Sequence, residues 1–208
     1  MKRLACLALL AILFLAPQAE AQLRGLQYAP RVRSWRIGLE AGGGVLGSDL
    51  TRNSGNYHFR PIANLELSYI LSKNFAMGVY VGGGFMRSTD LDLESNTSFF
   101  GTGVLLELRI PMLRGSVFPI FQLRSGAVII SPELRDGPDT FDASSTTHLS
   151  YTGAAGIEVI SWRRLGIRAL VGVTYTTTDK WDLILRGDDN DGYSFAMLSM
   201  HYYISPRR

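Results

Sequence analysis

Few side chains in this 208-residue sequence are spaced so that they could do chemistry. The first candidate is His148-Leu149-Ser150 with Glu158. Residues two apart on a strand share a face, so this histidine and serine could form a hydrolytic pair oriented by a carboxylate. Glu158, however, follows eight residues after Ser150, roughly 26 Å along an extended chain, and cannot reach His148 on the same strand. Asp188-Asp189-Asn190-Asp191-Gly192 groups carboxylates ahead of a glycine, as calcium loops begin, but lacks their alternating spacing and distal bidentate glutamate. Asp, Asn and Gly favour turns, so a solvated loop is expected there. Gly42-Gly43-Gly44 precedes no helix whose N-terminus could hold a phosphate. His58 and His201 have no metal-ligand partners in the sequence. No catalytic residue, metal or cofactor is therefore expected.

The elements that would have to position such groups are strands. After a polar lead, eight segments alternate with period two and favour strand-forming residues: 35–47, 60–71, 74–87, 98–112, 116–130, 147–160, 165–178 and 192–204. Most exceed the five or six residues usual in soluble strands and suit the roughly 9 to 11 that a tilted strand needs to cross a bilayer. The connections alternate in length. Three are short, at 72–73, 113–115 and 161–164; four are ten residues or longer, at 48–59, 88–97, 131–146 and 179–191, and rich in Asp, Asn, Ser and Gly. Tight turns on one side and long polar loops on the other mark an outer-membrane barrel with its short turns in the periplasm.

The two faces of each segment agree with this. In the third, Phe75, Met77, Val79, Val81 and Phe85 oppose Ala76, Gly78, Tyr80, Gly82 and Gly84. In the seventh, Leu165, Ile167, Val171, Val173 and Tyr175 oppose Gly166, Arg168, Gly172 and Thr174. A water-facing surface would carry long charged side chains and would seldom spend glycine in mid-strand. The small face fits the crowded inside of a narrow barrel. An all-β fold is expected: an eight-stranded antiparallel up-and-down transmembrane β-barrel.

The charged residues on the small face are Arg36, Glu40, Glu66, Glu107, Arg109, Arg124, Glu158 and Arg168, four acidic and four basic. An unpaired charge in a narrow lumen costs several kcal/mol, whereas matched Arg–carboxylate pairs satisfy each other. A salt-bridge network that closes the lumen is expected, since eight strands leave a bore that side chains just fill. The alternative is a narrow ion path, because charged rings also line pores.

Composition bounds the rest. With 46% hydrophobic residues and a formal charge of +3, the chain is neither disordered nor a nucleic-acid binder. Its one long apolar run, 4–16, is too short for a spanning helix. Preceded by Lys2 and Arg3, and followed by Pro17 and Ala19-Glu20-Ala21, it reads as a signal peptide cleaved before Gln22. The domain plan is then a signal at 1–21, a periplasmic lead at 22–34, a barrel at 35–204 and a tail at 205–208. Cleavage removes the only cysteine, so no disulfide contributes to stability. Trp35 and Trp162 fall near the periplasmic edge and Tyr57, Tyr175 and Trp181 near the outer one, where interfacial belts need them.

On this pattern, and on the closing His201-Tyr202-Tyr203-Ile204, the chain resembles the small eight-stranded outer-membrane barrels of the OmpA and OmpX type. The resemblance implies export to the outer membrane of a Gram-negative bacterium, contact with outer-membrane lipid and lipopolysaccharide, dependence on the barrel-assembly machinery, and a monomer. It implies a structural or surface-interaction role carried by the outer loops, with transport of small apolar solutes as the alternative. The His148/Ser150 pair is similar to the His-x-Ser pair of outer-membrane lipid A deacylases, which keeps a lipid A-modifying hydrolase as a third reading.

Overall fold

The computed structural model describes residues 32–47, 57–90, 93–112, 117–136, 139–161, 164–178, 181 and 191–204. Nine strands run through them: β1 (Trp35–Gly47), β2 (Arg60–Ile70), β3 (Phe75–Asp90), β4 (Leu93–Arg109), β5 (Val117–Asp136), β6 (Asp139–Asp142), β7 (Thr146–Ser161), β8 (Leu165–Thr176) and β9 (Gly192–Ile204). All but β6 form one closed antiparallel ring. The ring closes where β1 meets β9, with Trp35 opposite Ile204 and Gly47 opposite Gly192. Closure leaves every barrel strand with a partner on both sides, so no open edge is presented to the membrane. The expected signal at 1–21, most of the expected lead, the tail 205–208, Trp162 and residues 188–190 of the acidic run lie outside the described residues.

Period-two alternation decides which face points where. Along β9 the burial alternates without a break from Ser194 to Ile204. Leu39, Leu123 and Leu198 point outward with more than 60% of their surface uncovered, a fraction no water-soluble barrel would expose along continuous rows. Hydrocarbon is the solvent that suits that surface, and it is crossed by strands.

Two of the four long connections are more regular than the sequence suggests. Segment 88–97 was expected as a loop, yet β3 and β4 continue their ladder through it to the pair Asp90 and Leu93. Segment 131–146 was also expected as a loop, yet β5 extends to Asp136, pairs with β4 as far as Leu93, and is flanked by the short β6. Beyond the apolar belt both faces of a strand are polar, so the hydropathy pattern disappears. The backbone amides still need partners, and the ladder provides them. β3, β4, β5 and β6 thus carry a small sheet past the rim at the long-connection end.

Candidate functional site

All eight charged residues assigned to the small face are buried inside the barrel, at 5% exposure or less. Arg36 on β1 is the hub. Its Nη1 lies 2.7 Å from Glu107 Oε1 and its Nη2 2.9 Å from Glu107 Oε2. Nη2 also donates to Glu66, and Nε donates to Ser68 Oγ at 2.8 Å. One guanidinium therefore ties β1 to β2 and, across the lumen, to β4. Arg168 on β8 contacts Glu107 at 2.9 Å, Glu158 at 3.2 Å and Glu66 at 3.5 Å. Arg109 on β4 donates to Glu158 Oε2 at 3.2 Å and to Tyr203 Oη at 2.9 Å, with its guanidinium 4.5 Å from the centre of the Phe118 ring. Arg124 on β5 donates to both oxygens of Glu40 on β1 and stands 5.2 Å from the Tyr80 ring centre. Four cations and four anions make the set neutral as a whole, the condition under which buried ion pairs can offset their desolvation.

Neutral side chains complete this lattice, and sequence reasoning missed them. Gln122 donates to Glu66 and Glu107 at 3.2 and 3.3 Å and accepts from Arg124 Nε at 2.7 Å. Asn64 donates to Glu40 at 3.1 Å, and the Tyr203 hydroxyl donates to Glu158. For Gln122 and Asn64 the signal was present, since they share parity with Arg124 and Glu66 on their own strands; Tyr203 sits on β9, which carries none of the eight charged lumen residues. Small residues supply the room. A Cβ at Gly38 would lie 2.6 Å from His201 Nε2, and one at Gly166 would lie 2.5 Å from Glu158 Oε1.

His201 is fully buried beside this lattice, its Nδ1 4.0 Å from Glu158, and among the described residues neither ring nitrogen has a hydrogen-bond partner. Single ligand atoms of Glu40, Glu66 and His201 lie within 4.8 Å of one another, a spacing that could hold a metal ion. Arg124 already occupies Glu40, and Arg36, Arg168 and Arg124 surround Glu66. A divalent cation there would face three guanidinium groups, so the donor set is balanced by arginine and does not suit a metal.

Trp181 departs from its expected place. It was assigned to an outer lipid-facing belt, but its side chain is completely buried. Its ring packs against Phe99 and Tyr193, with centroids 5.3 and 5.7 Å away. The indole N–H donates to Thr176 Oγ1 at 2.8 Å, and the peptide N–H donates to Asp191 Oδ2 at 3.2 Å. Its carbonyl accepts from Thr97 and, at 3.4 Å, from Ser95, both on β4. A residue between β8 and β9 thus reaches across the mouth. A tryptophan residue with three satisfied polar groups and two aromatic neighbours is more stable there than at a lipid interface, where its indole N–H alone would find a partner. Between this aromatic layer and Arg124 lies a cavity of about 30 Å³ lined by Asn64, Tyr80, Thr152, Thr174 and Tyr193, room for water and little else. Tyr57 and Tyr175 remain on the outer surface, and Trp35 packs its exposed ring 5.0 Å from Tyr69 at the opposite rim.

The other sequence candidates take separate partners. His148 Nε2 is hydrogen-bonded with Thr146 Oγ1 at 2.9 Å, and Ser150 donates to the Gly126 carbonyl at 3.4 Å. Glu158 is held in the charge lattice. His58 pairs with Thr89 at 2.9 Å. Gly42, Gly43 and Gly44 are ordinary members of β1.

No protein-family model matches this chain, and no curated protein matches it in sequence. Solved structures match its shape. Neisserial surface protein A superposes with a TM-score of 0.61 at 11% identity, over 81% of this chain and 96% of that one. Ail, the attachment invasion locus protein of Yersinia pestis, gives 0.54 at 12% identity, over 84% and 100%. The outer membrane protein OprG from Pseudomonas aeruginosa gives 0.51 at 11% identity, over 86% and 99%. The chain has the closed eight-stranded antiparallel fold of the small outer-membrane barrels.

Proposed function

We propose that this chain is an integral outer-membrane protein of the OmpA and OmpX kind, exported by its segment 1–21, whose barrel is a closed mount for an outer contact surface. The observation that carries this reading is the lattice around Arg36. It joins side chains from opposite walls, and with the Trp181 layer above it supports a closed lumen. A rigid barrel of this kind frees its loops and the projecting sheet to meet ligands, lipopolysaccharide or partner cells, since function concentrates on such connections. The protein works as a monomer, and the barrel-assembly machinery inserts it. Catalysis has no place in this reading, because His148, Ser150 and Glu158 are each engaged elsewhere.

The test is single-channel conductance of the refolded mature protein in a planar bilayer, after heat-dependent gel mobility has verified that it inserted. Silence from a folded barrel is the expected result. Discrete, reproducible steps would overturn the closed-mount reading in favour of a narrow channel, with the lumen charges as selectivity residues. Small apolar solutes entering vesicles that contain the silent barrel would point to solute transport. Deacylated lipid A products would revive the hydrolase.

A further inference from the structure

Among the described residues, charge is sorted by sign along the barrel axis. The five segments at the short-turn end, 22–34, 71–74, 110–116, 161–164 and 205–208, hold nine Arg or Lys and no Asp or Glu. The four long connections at the opposite end hold thirteen acidic residues against four basic. The lumen between them is balanced.

Among the described residues, the short-turn rim presents Arg33, Lys73 and Arg164, all exposed. Arg164 Nη1 donates to the hydroxyl of Tyr202 at 3.4 Å. Tyr202 faces outward on β9, 47% exposed, so this guanidinium is fastened at the level where the apolar belt ends. Trp35 and Tyr69 mark the same level, as interfacial aromatics do. Arg33 adds a second observation. It has a φ of 66°, in the left-handed region that glycine or asparagine occupies with less strain. Its amide is bonded to the Ile70 carbonyl at 2.8 Å, which holds that conformation at the entrance to β1. A long cation therefore stands where backbone geometry favours a small or neutral residue.

We propose that this rim binds anionic phospholipid headgroups, of the phosphatidylglycerol class, in the leaflet next to the short turns. Long basic side chains at the end of an apolar belt reach the headgroup layer while their stems stay in contact with the belt. Each cation near a negative lipid surface favours binding by about fivefold, and among the described residues the rim has no acidic side chain to oppose it. The tie between Arg164 and Tyr202 favours a lipid over a partner deeper in the aqueous compartment, because it keeps the charge beside the hydrocarbon edge. The inference rests on the barrel crossing a bilayer.

Trp35 is the reporter. Protein carrying Trp162→Phe is refolded in phosphatidylcholine vesicles, and brominated phosphatidylglycerol or brominated phosphatidylcholine is introduced to quench it. Trp181, buried in the mouth, supplies the unquenched background. Brominated phosphatidylglycerol should quench at a several-fold lower mole fraction than brominated phosphatidylcholine. The preference should fall with added salt and disappear in the Arg33→Gln/Lys73→Gln/Arg164→Gln variant. Equal quenching by both lipids at low salt in the protein with its basic rim intact would overturn the proposal, whether or not the triple variant folds. Loss of the preference on adding soluble glycerol phosphate would overturn the lipid assignment in favour of a free anion. A chain that did not cross the bilayer would show no quenching by either lipid, a result distinct from equal quenching.

Discussion

Arg124 Nη2 lies 2.8 and 2.7 Å from the two carboxylate oxygens of Glu40, a residue 84 positions earlier on a strand that β5 does not pair with. This ion pair braces the barrel from inside. Backbone ladders join each strand only to its neighbours, whereas this contact joins β1 to β5 across the bore. The same holds for Arg36 with Glu107 and for Arg168 with Glu66. Such spans resist ovalisation, a distortion that ladder hydrogen bonds permit.

Arg124→Ala should destabilise the barrel by about 3–5 kcal/mol, because among the described residues Glu40 would remain buried with only Asn64 hydrogen-bonded to it. Replacing both partners, as Arg124→Met with Glu40→Gln, should recover most of that loss, since no net charge is then left in the lumen. Urea unfolding followed by heat-dependent gel mobility measures both. If the single variant unfolds at the unmodified midpoint and leaks no ions, the lattice does not stabilise the barrel.

Gly38→Ala tests the packing of the same region from the backbone side. The added methyl would meet the His201 ring at 2.6–3.0 Å, and His201 is enclosed on every side. Overpacking of this kind costs about 1–3 kcal/mol. His201→Ala in the same chain should relieve the clash, so the double variant should be more stable than the sum of the two single losses. Strict additivity would show that Gly38 is not there to accommodate the ring.

Much of this lumen was legible in the sequence, because parity on a strand is a local property. Arg36 and Glu40, or Glu107 and Arg109, announce their shared face by spacing alone. Which residue meets which across the bore is not local. It follows from the stagger of the strands, so Arg124 meeting Glu40, and Gln122 bridging Glu66 to Glu107, could not be read from spacing. Trp181 was misplaced for a related reason. A lone aromatic in an Asp-rich connection matches an interfacial anchor in composition, and only the fold brings Phe99, Tyr193 and Thr176 to its sides. The extension of β4 back to Leu93 was hidden because both faces of Ser95, Asn96 and Thr97 are polar.

The projecting hairpin of β3 and β4 should respond to acid. Glu94 stands beyond the apolar belt, and its carboxyl is held below the usual glutamate range, first by the hydrogen bond from Asn96 and then by Arg87 at 2.5 Å. A carboxyl with a lowered folded value contributes stability above its unfolded value and loses it as pH falls through the folded one. The contribution is partly solvent-screened and stays below about 1 kcal/mol. Hydrogen exchange of the amides in 85–98 should therefore accelerate, relative to the transmembrane ladder, as pH drops below the usual glutamate range. Glu94→Gln should abolish that dependence, and an unchanged acid response in this variant would assign it to another group.

Trp181 is the residue whose removal should change access to the lumen without touching the charge lattice. Trp181→Ala deletes the ring that packs on Phe99 and Tyr193 and the indole donor to Thr176. Truncation of a buried tryptophan costs about 3–5 kcal/mol where the surroundings cannot collapse. Here that loss falls on the attachment of one connection, because the ladders of β8 and β9 hold without it. The one cysteine of the sequence is Cys6, so in protein prepared from Gln22 onward Thr174→Cys places a single thiol beneath the aromatic layer. With Trp181 present, labelling by a water-soluble maleimide from the outer side should be slow; with Trp181→Ala it should rise by an order of magnitude or more. If the charge lattice closes the lumen, as proposed, ion conductance should stay silent in both, since Arg124, Arg36 and Arg168 remain in the bore below. Equal labelling rates would show that Trp181 does not seal the mouth. Current through the Trp181→Ala barrel would show that the aromatic layer, and not the charge lattice, is what closes it.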